Sequence, residues 1–479
     1  MMINSTDVVA VLPFILVALG SVGLLIADLL IPAERRHVTA WLAAALLLTA
    51  AVIALSLIGS PTFEAFGGMV LSDPTAFFLD TLICTIGLVT ILLTLRYNQV
   101  RGILRGEFYI LLALSISGMT LVTHANNLLI LLLGIELLSI PLYVLCGIAR
   151  PRLESEESAL KYFLTGAFAS GFLVYGIALT YGASGTLSLQ TAPVARNVSG
   201  DPLLLIGIGL ILVGLSFKVA AVPFHLWAPD AYEGAPTTVT AFMATATKVA
   251  GFAALLRVLH GGLPDMESTW QPLVAIIAAA TMIVGNLAAL AQQNLKRMLA
   301  YSSIAHAGYA LVGVAAHDTT SVVFYLTGYA FTTLAAFAVI TAIGSSEGEE
   351  MQLLEAYSGL GRQKPLLGAV LAIAMFSLIG IPPTVGFIGK YFVFQAAVSK
   401  GLVWLAVLGV LTSAMAAYYY LRVVMVAFIR EGSAAAPLPT PSAPRNLAAA
   451  ISVAAVFVLG VVPALLLGMI GDGMLSTTP

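Results

Sequence analysis

The stretch that decides the fold is Leu215–Asp230, LSFKVAAVPFHLWAPD, which continues an apolar run beginning at Asp201. Lys218 lies inside this run, and Pro223 follows it by five residues. A proline has no amide hydrogen and cannot continue an α-helix, and a charged lysine at the centre of a bilayer costs about 2.5–3.5 kcal/mol. Irregular backbone is tolerated at membrane depth only where it is buried in protein or lines a cavity. We therefore predict an interrupted helix whose lysine faces the protein interior.

The composition is that of an integral membrane protein. Of 479 residues, 60% are hydrophobic and 9% are charged, and the mean hydropathy is +1.01. A soluble domain carries about a quarter charged residues. Apolar runs of roughly 20 residues, typical of membrane-spanning helices, recur along the whole chain and leave no room for a separate soluble domain. The N-terminal MMINSTDVVA has no basic segment and no small-residue cleavage site, so we expect no signal peptide.

The apolar runs predict an all-α integral membrane protein with about fourteen transmembrane helices. The predicted spans are 9–29, 38–58, 75–95, 107–123, 127–147, 159–182, 203–232, 236–258, 271–291, 296–316, 320–344, 365–399, 403–429 and 446–470. The seventh and twelfth of these contain internal prolines, so we expect both to be interrupted helices.

The distribution of Lys and Arg predicts the orientation, because the inner side of a membrane protein carries the excess of basic residues. With the N-terminus outside, the outer loops hold only three, Arg196, Arg257 and Lys400. The inner side then holds fifteen: Arg35, Arg36, Arg96, Arg101, Arg105, Arg150, Arg152, Lys161, Lys296, Arg297, Arg362, Lys364, Arg422, Arg430 and Arg445. Both termini are therefore predicted to face the periplasm or its equivalent.

Four ionisable side chains remain in the interior of the predicted spans: the carboxyl group of Glu136 and the amines of Lys218, Lys248 and Lys390. Such groups must face protein or water, and they mark proton paths in pumps and transporters. Burial lowers the pKa of a lysine and a nearby carboxylate raises it, so a buried amine can bind and release a proton near neutral pH. Arginine stays protonated and cannot do so. By contrast, Asp80 lies near a predicted helix end and is expected to reach the interface.

Two purely structural interpretations of these four residues are also possible. The lysines could be snorkelling anchors, which fits Lys390 best because it lies nearer to the outer side. Glu136 and Lys218 could form a static ion pair, but this would leave the other two lysines unexplained. A protein that only serves as a structural spacer would tolerate replacement of all three lysines.

A second interruption resembles the first, but with the order of lysine and proline reversed. In SLIGIPPTVGFIGKYF, Pro382 and Pro383 break an apolar run, and Lys390 comes seven residues after the nearer proline. In the first interruption the proline follows the lysine instead. Broken helices at corresponding positions of two halves are typical of transporters built from inverted repeats. The order of lysine and proline therefore favours an inverted pair.

Four stretches resemble the antiporter-like membrane subunits of respiratory complex I. They are KYFLTGAFASGFLVYG (161–176), GLSFKVAAVPFHLWAPDAYEGAPT (214–237), LKRMLAYSSIAHAGY (295–309) and GIPPTVGFIGKYF (380–392). The resemblance covers nearly the whole chain, and it is strongest for subunit N, because the related subunit M usually has a glutamate where Lys390 stands. Subunit M and the subunits of multisubunit sodium/proton antiporters of the Mrp type, which belong to the same family, are the alternatives.

The resemblance implies a division of the chain into four regions. The first three helices occupy 1–106, and the last helix with the C-terminal tail occupies 446–479. Between them lie two inverted five-helix repeats, helices 4–8 at 107–258 and helices 9–13 at 271–430, each with one broken helix.

The resemblance also implies a role for each interior residue. Lys218 would carry the proton in the first repeat, and Glu136 would modulate it. Lys248 would be the central relay between the repeats, and Lys390 would pass the proton towards the outer side. His306 would lie on the path between Lys248 and Lys390.

The resemblance further implies that the redox chemistry belongs to partner subunits, which would bind NADH, FMN, iron–sulfur clusters and quinone. Subunits M and K would be the neighbours, in a bacterial plasma membrane. The chain has no Walker A motif, no G-x-G-x-x-G after a strand and no C-x-x-C. Cys84 and Cys146 fit no metal-ligand spacing. We therefore expect a subunit of an oxidoreductase without a cofactor or metal of its own.

The remaining candidates have an ordinary structural interpretation beside the functional one. His225 lies at the first interruption, where it could organise water or only form a structural hydrogen bond. Lys161 follows the acidic segment LESEESAL, so it is expected to be an interfacial anchor, with proton entry as the alternative. The run Tyr418–Tyr420 is expected to pack rather than to relay protons.

Overall fold

The computed structural model describes residues 4–189, 200–344, 350–431 and 441–470. These residues form an α-helical protein with one small antiparallel hairpin, β1 (Phe63–Ala65) and β2 (Val70–Ser72). The helices are α1 (Ser5–Ala10), α2 (Leu12–Leu30), α3 (His37–Leu57), α4 (Pro74–Val100), α5 (Gly106–Thr123), α6 (Leu128–Cys146), α7 (Leu153–Ser184), α8 (Pro202–Lys218), α9 (Trp227–Gly234), α10 (Thr237–Leu256), α11 (Glu267–Leu290), α12 (Leu295–Ala315), α13 (Thr319–Ile340), α14 (Leu360–Gln363), α15 (Pro365–Ile379), α16 (Val385–Ser399), α17 (Val403–Phe428), α18 (Ala443–Val461) and α19 (Ala464–Ile470).

Twelve helices in the described residues are long and apolar enough to cross a membrane, which confirms the predicted fold class. Three shorter apolar helices, α8, α15 and α16, belong to the two interrupted segments. If each interrupted segment crosses once, the sum is the fourteen spans expected from the sequence. The number of crossings, the four regions and the inverted repeats stay predictions.

Both interruptions lie at the prolines. Helix α8 ends at Lys218 and α9 begins at Trp227, so that Pro223 lies in the irregular link. Helix α15 ends at Ile379 and α16 begins at Val385, with the two prolines between them. Each link therefore leaves helix-end carbonyl and amide groups without helical partners inside an apolar segment.

Some helix boundaries differ from those predicted. Helix α7 begins at Leu153, six residues before the predicted start, because Glu154 and Glu156 favour the first turn of a helix through its dipole. The last predicted span is divided into two helices: α18 ends at Val461 and α19 begins at Ala464. The division occurs at Pro463, because proline cannot donate the helical hydrogen bond.

The core surrounds α10, whose apolar window is completely buried. This helix contacts α4, α5, α6, α8, α12 and α13. Helices α12 and α13 are almost as buried, whereas only 22% of the apolar window of α2 is buried. Residues on α10 are therefore protected from lipid on all sides, which is the environment that Lys248 requires.

Ion pairs identify which helix ends lie together. Lys161 and Arg297 both pair with Asp230, at 2.9 Å each, and these residues define what we call the inner end. Asp73 pairs with Arg257 at 2.6 Å and defines the outer end. The grouping agrees with the predicted alternation of the spans. Which end faces which compartment stays a prediction, and Arg196 lies outside the described residues, as does the tail 471–479.

Three charged residues that the sequence places at the membrane edge are instead buried in protein. The side chain of Lys296 is completely buried, and Arg257 is 7% exposed. Asp80, expected to reach the interface, is also completely buried and lies 2.9 Å from His124 Nε2. Arg257 and Lys296 lie at the ends predicted for them, but a partner from another helix or loop covers each of them. The expectation that Asp80 reaches the interface was wrong, because His124 and Thr123 cover its carboxylate.

Candidate proton path

Lys218 lies at the last position of α8, where the interruption begins. Its amine donates to the Ser139 hydroxyl at 2.9 Å, and only 7% of the residue is exposed. Ser139 belongs to α6 and in turn donates to the Ile135 carbonyl at 2.6 Å. The partner of this buried amine is therefore a neutral hydroxyl rather than a carboxylate.

Glu136 lies one helical turn before Ser139 on α6, and it is partly exposed. Its carboxylate accepts a hydrogen bond from the Ser170 hydroxyl at 2.5 Å. No ion pair within 4 Å joins it to Lys218, so the static pair considered above is absent from this structure. Glu136 shares α6 with Ser139, the hydrogen-bond partner of Lys218, but forms no ion pair with the lysine itself. The modulating role of Glu136 stays a prediction.

The first interruption is stabilised by partners from two other segments. The Phe217 carbonyl accepts from Trp227 Nε1 at 3.1 Å, and the Val222 amide donates to the Thr281 hydroxyl on α11 at 3.0 Å. A backbone group left unpaired inside a membrane costs several kcal/mol. The sequence therefore carries the side chains that make this irregular link possible.

Lys248 reaches the same interruption from α10. Its amine donates to the Val219 carbonyl at 3.0 Å, and the residue is 2% exposed. Val219 directly follows Lys218 in the chain. The Lys248 amine is therefore bound to the residue next to Lys218, at the start of the interruption. The structure thus brings together two of the three predicted lysines.

Lys390 occupies the second interruption in a comparable way. Its amine donates to the carbonyls of Leu378 and Ile379, at 2.9 and 2.8 Å, and to the Ser413 hydroxyl at 2.6 Å. The two carbonyls are those of the last residues of α15, which have no helical donor. The end of the broken helix therefore supplies the acceptors for this amine.

Gly380 makes this arrangement possible. It ends α15 with φ of +92°, a conformation that side chains other than glycine rarely adopt. A Cβ atom there would also lie 3.2 Å from Cδ of Lys390. The glycine therefore turns the chain and leaves room for the lysine.

His306 lies in the core beside four tyrosines, one of which, Tyr329, packs its ring 5.0 Å from the imidazole. Its Nδ1 is 2.6 Å from the Tyr325 hydroxyl, and its Nε2 is 3.1 Å from the Tyr420 hydroxyl, which also contacts Ser302. The Tyr309 ring contacts His306 from the same helix and lies under the Lys390 amine, at 4.9 Å from its centroid. His306 and Lys390 are thus joined through a shared aromatic neighbour.

The tyrosines were not identified as site residues from the sequence. Tyr420 was expected to pack, but its hydroxyl contacts His306, whereas Tyr418 is 63% exposed. Tyr309 had a local signal, since it follows His306 by three residues and so shares its helix face. Tyr325 and Tyr420 come from other helices, and nothing in their own sequence surroundings points to His306.

The site consists of two groups of contacts. One contains Glu136, Lys218 and Lys248, and the other contains His306 and Lys390. Among the described residues no hydrogen bond joins the two groups. A proton that passes between them must therefore use rearranged side chains or water.

The two weaker candidates lie at different depths. His225 is 8% exposed, and its Nδ1 has no hydrogen-bond partner among the described residues. Lys161 is 46% exposed at the inner end, where it pairs with Glu157 at 2.6 Å and with Asp230. The geometry of Lys161 is that of the expected interfacial anchor, and it does not touch the buried lysines.

The described residues contain no group of three or more His, Cys, Asp or Glu side chains arranged to hold a metal ion. Cys84 and Cys146 are both buried and free. The site consists of amines, a carboxylate, hydroxyls, an imidazole and backbone carbonyls, which donate and accept hydrogen bonds.

Comparison with known proteins identifies the family. A family model described as "NADH:quinone oxidoreductase/Mrp antiporter, TM" matches residues 125–416, which hold every site residue predicted from the sequence. This chain belongs to that family. NADH-quinone oxidoreductase subunit N of Chloroflexus aggregans is 44% identical over 96% of each chain. Subunit N of Trichlorobacter lovleyi is 42% identical over 95% of each.

Solved structures of this family have the same fold. A chain of respiratory complex I from Thermus thermophilus with bound aureothin matches with a TM-score of 0.83 and 38% identity, over 95% of this chain and 98% of the other. A chain of the Mrp complex from Dietzia matches with a TM-score of 0.82 at 23% identity, over 96% of each chain. The latter likeness concerns the fold alone. The relatives and the twelve apolar helices together show that this chain is a membrane protein of a respiratory complex.

Proposed function

We propose that this chain is the proton-translocating subunit N of a complex I-type NADH:quinone oxidoreductase. The observation that carries the proposal is the set of partners around Lys218, Lys248 and Lys390. All three amines are buried, and each is hydrogen-bonded only to hydroxyls or backbone carbonyls. A buried charge that is permanent requires a paired counter-charge. Amines without one are suited to alternate between the protonated and the neutral form.

The geometry supports an order of transfer. Glu136 and Lys218 would load the proton in the first repeat, and Lys248 would take it over at the shared interruption. His306, with its tyrosine partners, would connect Lys248 to Lys390, from which the proton would leave towards the outer side. His225 is the nearest further group at the first interruption, and Lys161 would act as an anchor at the inner end.

The energy for transfer would come from partner subunits. We infer that these subunits bind NADH, FMN, iron–sulfur clusters and quinone, and that this chain has no cofactor or metal. Subunits M and K are the proposed neighbours in the membrane arm. The proposed location is a bacterial plasma membrane, with both termini on the periplasmic side.

The similarity to subunits N argues against the alternatives. Identity to subunits N reaches 44% over nearly the whole chain, against 23% for the Mrp chain. A sodium site also requires oxygen ligands, and Glu136 is the carboxylate predicted near the middle of a span. A structural spacer would not require three buried amines.

The test is Lys248→Met in the assembled complex, reconstituted into liposomes. We expect proton pumping and coupled NADH:quinone turnover to fall by about tenfold or more, because a positioned proton-transfer group contributes about 10²–10⁴-fold. Lys400→Met, which removes an exposed lysine at the outer end, is the matched control. Unchanged pumping in the Lys248 variant would contradict the proposed path, and sodium-dependent pumping would indicate an antiporter.

A further inference from the structure

A buried ion pair at the inner end has no place in the path described above. Lys296, in the first turn of α12, donates to a carboxylate oxygen of Glu350 at 2.8 Å and to the Ala235 carbonyl at 2.7 Å. The other carboxylate oxygen of Glu350 accepts from the Thr237 amide at 2.9 Å and from the Tyr97 hydroxyl. The cluster therefore joins four segments that are far apart in the chain.

The cluster is built to keep its charges. Gln352 supplies a fourth donor to the Glu350 carboxylate at 3.0 Å, and Lys296 is completely buried. Burial alone would raise the pKa of Glu350, but the Lys296 ammonium and the hydrogen bonds from Tyr97 and Thr237 lower it from 4.5 to about 2. The Lys296 ammonium and these hydrogen bonds therefore favour the ionised form of the carboxylate.

Lys296 therefore differs from the three lysines of the path. Lys218, Lys248 and Lys390 have neutral partners, whereas Lys296 has a carboxylate partner at hydrogen-bond distance. Separating such a buried pair leaves an uncompensated charge, which is strongly destabilising. The contacts of the pair thus hold the two side chains together at this position.

The position of the cluster is as informative as its chemistry. Thr237 is the first residue of α10, and its amide is one of the free N–H groups at the positive end of the helix dipole. Lys248 lies eleven residues further along the same helix, which is about 16 Å at about 1.5 Å per residue. The Glu350 carboxylate consequently covers the inner end of the helix that holds the central lysine.

We propose that Glu350 and Lys296 form a fixed ionic plug that closes the inner end of α10 to protons. Glu350 is a positioning residue in this proposal: it holds Tyr97, Thr237 and Lys296 together and carries no proton itself. The plug rests on the proposed function, because it confines proton entry to the first repeat. Without it, protons would pass between the inner aqueous phase and Lys248 without coupling to redox chemistry.

The test removes both charges at once, in the variant Lys296→Met with Glu350→Gln, so that no unpaired charge remains. The assembled complex is reconstituted into liposomes, and passive proton conductance is measured with an internal pH dye in the absence of NADH and quinone. We expect conductance to rise by about tenfold, which corresponds to a loss of about 1.4 kcal/mol from the closed state. During turnover, the ratio of protons pumped to electrons transferred should fall while NADH oxidation continues.

The matched control is Lys400→Met with Glu267→Gln, which removes a partly exposed pair at the outer end and should leave the membrane tight. Wild-type conductance in the variant without the inner pair overturns the plug. If that variant does not assemble, Tyr97→Phe removes a single donor to Glu350, and a tight membrane with this variant overturns the plug as well. Because conductance is measured without turnover, this outcome is independent of the Lys248→Met result that decides the proposed function.

Discussion

The partner of each buried amine decides what that amine can do. Lys390 is bound by two carbonyls of a helix end and by the Ser413 hydroxyl, all of which are neutral acceptors. Its residue is 6% exposed, which does not fit a snorkelling anchor whose amine reaches the interface. The same kind of environment surrounds Lys218 and Lys248. The role of Lys390 as a proton carrier then depends on whether it must lose its proton.

Lys390→Arg tests this requirement. Arginine keeps a positive charge but cannot be deprotonated in a protein, so the complex should assemble while proton pumping falls by about tenfold or more. Lys390→Glu should retain part of the activity, because a carboxylate also exchanges protons. The measurement is pumping relative to NADH:quinone turnover at equal amounts of assembled complex. Full pumping in the arginine variant would remove Lys390 from the path.

Tyr420 and Tyr418 provide a matched pair on α17. The Tyr420 hydroxyl contacts His306 at 3.1 Å, whereas Tyr418 is 63% exposed. Tyr420→Phe should therefore slow coupled turnover severalfold without loss of assembly, and Tyr418→Phe should have no effect. Equal activities of the two variants in the same pumping assay would restrict Tyr420 to packing.

The interrupted helices show how elements supply polar groups in an apolar interior. Each interruption frees carbonyls that accept from lysines: Val219 for Lys248, and Leu378 and Ile379 for Lys390. At the first interruption, the side chains of Trp227 and Thr281 bind the Phe217 carbonyl and the Val222 amide. A broken helix therefore provides both the acceptors for an amine and the unwound backbone that brings them close to it.

Thr281→Val tests the support of the first interruption. The substitution preserves the shape of the side chain but removes the acceptor of the Val222 amide, which lies 3.0 Å away. A buried donor left without a partner costs about 1–3 kcal/mol. We expect the complex to lose thermal stability, measured as a lower unfolding temperature of the purified complex. Thr165→Val, at an exposed position of α7, is the control, and equal losses in both variants would contradict the supporting role of Thr281.

At the scale of the whole molecule, the two ends differ in their ion pairs. The inner end contains linked pairs through Asp230, Glu233 and Arg297, in addition to the buried Glu350 cluster. The proposed path runs between the ends through the core around α10. If the excess of basic residues marks the inner side, both termini face the periplasm.

Cysteine labelling tests this orientation. Thr62, in the link before β1, and Gln363, at the end of α14, are exposed at opposite ends, and the two native cysteines are buried. In intact cells, a membrane-impermeant maleimide should label Thr62→Cys, and it should label Gln363→Cys only after lysis. The opposite pattern would reverse the orientation and the direction of every transfer step.

The sequence alone determined the class of protein, the positions of the two interruptions and the four ionisable residues within the spans. The class follows from the composition of the whole chain. The interruptions and the interior charges follow from the order of residues within one stretch, which can be read without knowing the tertiary structure. The burial of Asp80, Arg257 and Lys296 was not predicted for the same reason, because the local sequence does not show which distant segments cover a side chain.

Only the tertiary structure decided the partner of each buried charge. Lys296 is held by Glu350, 54 residues away, and His306 contacts Tyr420, 114 residues away. Such pairs form because packing brings together helices whose own periodicity says only which face is buried. The sequence therefore reveals that a charge is inside, whereas the packing decides whether it is fixed by a carboxylate, as in Lys296, or bound by neutral groups, as in Lys218, Lys248 and Lys390.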